Sequence, residues 1–250
     1  MDNDNIHDVT YRFKICVSLD DDENALIYLE RLVNYIEEYD YEELEIIHRL
    51  FKRLIHQKRK LLSKVIFLHK ELPPNAFMKS QVLSLFTSQV HRESIDIIHR
   101  LLTCLNIALR KSKGDKAIIL SNKLCGKVYA FLYEYDDDNK TDNLQNALSH
   151  YQKAITLSIM KLAKGELLKY NVFLSYCKFS KKACKDYYRS MLFCINATKE
   201  IKEIIESQKD ITDMKGIISI ERKYEQFFEE NIEAYNRVLQ IYVPEIRKYV

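Results

Sequence analysis

Apolar positions recur along this chain at spacings of three and four residues, the period of an α-helix, over nearly its whole length. A first helix is predicted over about Tyr11 to Leu19. Asp20, Asp21 and Asp22 then offer capping oxygens for a second that reaches about Glu38, and Asp40 caps a third running to about Glu71. Leu72-Pro73-Pro74-Asn75 ends the third, because each proline lacks an N–H and restricts the residue before it. Val82, Leu85, Val90, Ile97, Ile98, Leu101, Leu102, Leu105 and Leu109 keep the period of a long fourth helix until Lys111-Ser112-Lys113-Gly114. Asp115 is read as the cap of a fifth, which ends at an acidic loop from Tyr135 to Asp142. A sixth covers about Asn143 to Ala163, and Lys164-Gly165 separates it from a seventh over about Glu166 to Lys178. An eighth starts near Ser180 and runs to about Ser207; a ninth, begun by Asp210 or Asp213, continues to Tyr242 before Pro244. About nine helices joined by short loops imply an all-α, antiparallel array.

The third helix carries the most distinctive chemistry. In Phe51 to Lys64, Lys52, His56 and Arg59 stand on one face at spacings of four and three, and Arg53, Lys58, Lys60 and Lys64 crowd the same turns with no acid between them. A basic run on a helix is ordinarily solvated surface. Here Leu50, Leu54, Leu61, Leu62, Val65 and Ile66 make the rest of the helix core-facing, so the cations are confined to a stripe suited to an anion.

Composition narrows the class. With Gly 4 and Pro 3 in 250 residues there is no linker, so residues 1–250 are expected to form a single domain with a C-terminal extension from about 235. A net charge of +3 is too small to argue for nucleic acid or a membrane, no apolar run is long enough to span one, and Met1 to Val9 is unlike a signal peptide. A soluble, cytoplasmic protein is expected. The six cysteines include no Cys-x-x-Cys pair and sit in apolar patterns, which predicts buried, reduced thiols and no zinc site.

Several stretches, taken in order, carry a resemblance. Glu42, Glu43, Phe51, Lys52 and Arg59 mark the third helix; Lys123 with Gly126 marks the fifth. Tyr151 to Ser158 reads YQKAITLS, and Val172-Phe173 and then Lys182-Ala183-Cys184 follow. From about Ala25 to Phe228 the chain resembles the 14-3-3 family. The resemblance implies nine antiparallel helices around a concave groove, a homodimer through the N-terminal four, and a non-catalytic adaptor without cofactor that binds phosphoserine or phosphothreonine segments of client proteins. Lys52, Arg59 and Lys123 match its site. Where the family has an arginine-tyrosine pair this chain has Ala130 and Phe131, and its peptide-holding asparagines are matched by Lys169 and Tyr224. Leu168, Val172 and Ile220 match its apolar wall, and Lys127 stands where the family is usually acidic. Lys52, Arg59, Lys127 and Lys169 together are expected to hold a phosphate with altered geometry. The family's cross-subunit ion pairs cannot form at Asp20 to Asn24, which is almost wholly acidic.

Other readings stay open. YQKAI also resembles a tetratricopeptide helix, which would make the protein a scaffold binding partners without phosphate. Glu45 with His48 and Asp96 with His99 repeat an acid-histidine spacing used in di-metal carboxylate bundles. No Gly-rich phosphate loop or Gly-x-Ser-x-Gly elbow is present. The C-terminal Tyr235 to Val250, with Ile241, Tyr242, Val243, Ile246 and Tyr249, is apolar enough to pack against a groove or a neighbour.

Overall fold

In the computed structural model of the chain, residues 6–73, 76–184, 187–207, 213–231, 233 and 236 are described here. They form nine α-helices, and the only strand-like pairing among them is one isolated bridge between Tyr39 and Ser112. The chain divides into two compact units, Met1–His150 and Tyr151–Val250.

The first unit contains α1 (Ile6–Ser18), α2 (Asp22–Tyr35), α3 (Tyr41–Lys70), α4 (Phe77–Arg110), α5 (Asp115–Tyr135) and the first half of α6 (Lys140–Lys161). The caps explain the starts. Asp21 accepts from the backbone of Asn24. Asp40 and Glu43 form a reciprocal capping box, which satisfies two of the otherwise orphaned N–H groups of α3. The fifth helix differs from the expectation: its cap is Gly114, at a left-handed φ of 83°, and Asp115 is its first helical residue. Glycine adopts that backbone freely, while an acid inside the first turn still meets the positive end of the helix dipole.

The acidic loop is shorter than the sequence suggests. Asp136 is buried and accepts hydrogen bonds from the amides of Asn139 and Asn143, so α6 is nucleated early, at Lys140. The α2–α3 and α4–α5 loops are joined by Tyr39, whose N–H donates to the Lys111 carbonyl and whose carbonyl accepts from Lys113 N–H, each at 2.8 Å. The Lys111 ammonium also donates to the carbonyls of Val33 and Ile36, at the C-terminal end of α2. These ties pin the starts of α3 and α5 relative to each other, and the two helices pack side by side.

Four residues expected in the core are exposed, and Ile97 and Leu109 are only half-buried. Leu61 and Ile66 on α3 and Val82 and Leu85 on α4 are exposed, together with Phe67, Leu68, Phe77, Met78 and Phe86. The reason is length. With 30 and 34 residues, α3 and α4 run roughly 45 and 51 Å, against about 21 Å for the 14-residue α2, so their adjoining ends outreach the rest of the unit.

The second unit contains the C-terminal half of α6, then α7 (Leu167–Ala183), α8 (Tyr187–Glu206) and α9 (Met214–Glu229). Here α7 overruns its predicted end and α8 starts later. Phe179 stacks on Tyr151 at 5.2 Å, and the Ser180 carbonyl accepts from Cys184 N–H, so the apolar pattern and the hydrogen-bond ladder both continue through the expected break. Asp213 caps α9 through the backbone of Gly216. The predicted continuation of α9 to Tyr242, and the extension to Val250, lie outside the described residues. Four of the six cysteines are buried as expected, whereas Cys16 is half-buried and Cys184, at the C-cap of α7, is exposed. No helix among the described residues is long and apolar enough to cross a membrane.

Candidate functional site

On α3 the cationic stripe extends one turn further than its basic residues. Glu45, His48, Lys52, His56 and Arg59 follow at steps of three and four, and none of the five belongs to the core. On α5 the matching stripe is Lys123, Lys127, Ala130, Phe131 and Glu134, spaced by the same period.

Two sets of contacts set the register between them. Toward the start of both helices, Glu45 and His48 lie within electrostatic reach of Lys123, and His48 also of Lys127. Toward the far end, Arg59 donates to Glu134 at 3.1 Å, and its guanidinium lies 5.7 Å from the centre of the Phe131 ring. Residue numbers rise together along both helices, so α3 and α5 run parallel. Lys52 therefore falls between the two anchor points, on the level of Lys127 and Ala130.

The electrostatics differ along this seam. Arg59 is partly neutralised: one amino group is on Glu134, the plane lies over an aromatic face, and its buried Nε has no hydrogen-bond partner among the described residues. Lys52 is exposed and has no hydrogen-bond or ion-pair partner among the described residues. Lys123 is buried. Ala130 and Phe131 are buried too and bring no side-chain donor, and the Phe131 ring packs on Tyr135 at 4.7 Å.

Glu45 accepts from the Tyr41 hydroxyl at 2.9 Å and stands 3.5 Å from His48 Nδ1. The His48 hydrogen bond, aided by Tyr41 and the positive charge of Lys123, holds the Glu45 carboxyl below its usual range despite partial burial. Burial lowers the proton affinity of His48, opposed by Glu45 and reinforced by the charges of Lys123 and Lys127, so the imidazole is neutral at neutral pH.

The remaining candidate residues belong to the second unit. Lys169 is 9% exposed and donates to Glu200 on α8 at 2.8 Å, so its charge is already matched. With Ile159, Leu162, Lys164, Asn196, Lys199, Glu200 and Glu203 it lines an open cavity of about 470 Å3. Val172 and Ile220 have no exposed surface, and Leu168 is buried as well. Tyr224 is likewise fully enclosed; its hydroxyl donates to the Tyr170 carbonyl at 2.8 Å, an interaction that burial makes obligatory. In this structure Val172, Ile220 and Tyr224 are thus interior residues of their unit.

Glu134 is the site residue that the sequence reading missed. Its signal was available, since position 134 continues the Lys123, Lys127 spacing on α5 by two further turns. The two acid-histidine pairs do not make a metal centre among the described residues: Glu45 and His48 face lysines, while His99 lies 3.6 Å from Asp136, and no three potential ligands converge.

The described residues thus form an all-α array in which a basic stripe on α3 faces α5. The family model described as 14-3-3 protein matches residues 12–235, most of the chain, and the protein belongs to the 14-3-3 family. Membership supports an adaptor-type, protein-binding role. No curated protein matches the chain.

Proposed function

We propose that this protein is a non-catalytic cytoplasmic adaptor that binds phosphoserine or phosphothreonine segments of client proteins, with its phosphate site on the α3–α5 seam. Lys52, Arg59 and Lys127 supply the positive charge, Lys123 reinforces it from within, and Ala130 stands where the resemblance places an arginine. What supports this reading is the parallel register of the two stripes, in which Arg59 is tied to Glu134 while Lys52 stands with no acidic partner among the described residues. A phosphate carrying nearly two negative charges gains most where cations converge and water is partly excluded. Without the arginine-tyrosine pair the affinity is lower than in a complete site, by about one to two powers of ten, since charge-assisted hydrogen bonds contribute roughly 1.5–3 kcal/mol each.

The test is a fluorescence titration of the full chain with labelled peptide libraries, phosphorylated and unphosphorylated. Phosphorylated peptides are expected to bind more tightly, with Lys52→Glu abolishing most of the difference. Equal affinity for both would instead establish the second reading, a helical scaffold that binds without phosphate. That reading is favoured by the lack of side-chain donors at Ala130 and Phe131.

We also propose a homodimer through the N-terminal helices. Asp20 and Asp22 are both held by Arg53 of the same chain, and Gln57 donates to Asp22 at 2.9 Å. Arg53 is therefore engaged by acids of its own chain, and apolar burial has to drive association. Tyr11 and Ile15 on α1 with Leu19 just after it, and the adjoining exposed ends of α3 and α4, supply two apolar surfaces. A two-fold axis would place each against its counterpart on a second copy.

A further inference from the structure

His48 belongs to neither the core nor the basic run, and no role on the seam has been assigned to it. Its side chain is 19% exposed, it precedes Lys52 by one turn on the same face of α3, and its Nδ1 faces Glu45 at 3.5 Å. The other ring nitrogen, Nε2, has no partner among the described residues. The charged groups that face this ring are Glu45 from its own helix and Lys123 and Lys127 from α5, with Lys52 following one turn on.

We propose that His48 is a specificity-determining residue of the anion site, accepting a proton as a dianionic phosphate binds between it, Lys52 and Lys127. This inference rests on the anion-binding reading of the seam. With Nδ1–H directed at Glu45, the neutral ring presents a lone pair at Nε2, which repels a phosphate oxygen. Protonation turns the same atom into an N–H donor. Without an anion, burial first and the lysines across the seam after it oppose that proton, while Glu45 favours it. An incoming dianion cancels their field and reverses the balance. Anion affinity therefore rises as pH falls toward 6, and binding draws a proton from solvent. A histidine at this position makes recognition stronger in acidified surroundings, which lysine and arginine alone cannot do.

The experiment uses the full chain and two probes, inorganic phosphate and sulfate, the second because it stays a dianion across the range and brings no proton of its own. The His48 ring protons are followed by NMR from pH 5 to 8, with His48→Gln assigning the signal. Both anions are expected to raise the titration midpoint of His48 by about one pH unit, and Lys52→Glu is expected to remove that rise. In a His56→Gln background, which removes the other histidine of the stripe, adding His48→Gln should make the sulfate affinity independent of pH over this range while the amide spectrum stays that of the folded protein. If the anions perturb the amides of α3 in a Lys52-dependent way and the His48 midpoint does not move, this inference is overturned and the anion site stands. An unchanged pH dependence after adding His48→Gln to that background overturns it equally. No response to either anion overturns both.

Discussion

At the scale of single residues, the seam sets a short apolar side chain where the family resemblance places an arginine. Ala130 brings no guanidinium between α3 and α5, and the carboxylate of Glu134, one turn further along, engages Arg59. Phe131 keeps the aromatic face under Arg59 but has no hydroxyl to donate. It follows that Ala130→Arg with Phe131→Tyr should restore phosphate recognition in two ways. The new guanidinium sits four residues before Glu134, where it can take that carboxylate, and Arg59 is released toward the ligand. Affinity for phosphorylated peptides is expected to rise about tenfold, measured by titration beside a thermal melt that checks the fold. No gain would mean that contacts to the peptide backbone, not the phosphate, limit binding. His48 was visible in the sequence only as half of a metal-like pair; its neighbours on α5 are set by packing, which local spacing does not report.

At the scale of elements, helix starts are governed by the residues at the caps. The Asp40–Glu43 capping box was legible because both partners are close in sequence and the chemistry is local. It also secures the end of α3 on which Glu45 and His48 are mounted. Asp40→Ala should destabilise the protein by about 1 kcal/mol, read as a lower denaturation midpoint with unchanged denaturant dependence. A melt indistinguishable from wild type would show that the Tyr39 backbone pairing alone holds this end. Helix ends were less legible. The α7 helix continues past Lys178 because Phe179 has Tyr151 to pack on, a contact between residues 28 apart in the chain. The start of α6 moves to Lys140 because Asp136 is buried and needs the amides of Asn139 and Asn143.

At the scale of the whole molecule, the apolar face left on α3 and α4 is the feature that local pattern misjudged most. Val82 and Leu85 keep a helical period as core residues do, yet they are 65% and 69% exposed, and Phe77 and Met78 more so. Exposed apolar surface on this scale marks an interface. The proposed dimer gives it an occupant, and light scattering at micromolar concentration should detect a species of about twice 29.8 kDa. Leu85→Asp with Phe86→Asp should convert it to the single-chain mass, because burying two carboxylates in an apolar contact is costly. A single-chain mass for the unaltered protein would refute the dimer.

What the sequence determined by itself was whatever depends on period and on neighbours a few residues apart: the helices, the side-chain caps of α2, α3 and α9, the cationic stripe on α3, the lack of side-chain donors at Ala130 and Phe131, and through its ordered motifs the family. Tertiary structure alone decided which apolar stripes find a partner and which charges are already matched. The resemblance sets Lys169 among the cations expected to hold phosphate, and Glu200 on another helix accepts its hydrogen bond; it matches Val172, Ile220 and Tyr224 to groove positions, and they are interior. Helical periodicity states which side of a helix is apolar or charged, a property of the backbone. What lies opposite that side is set by segments tens of residues away, whose approach no local rule encodes.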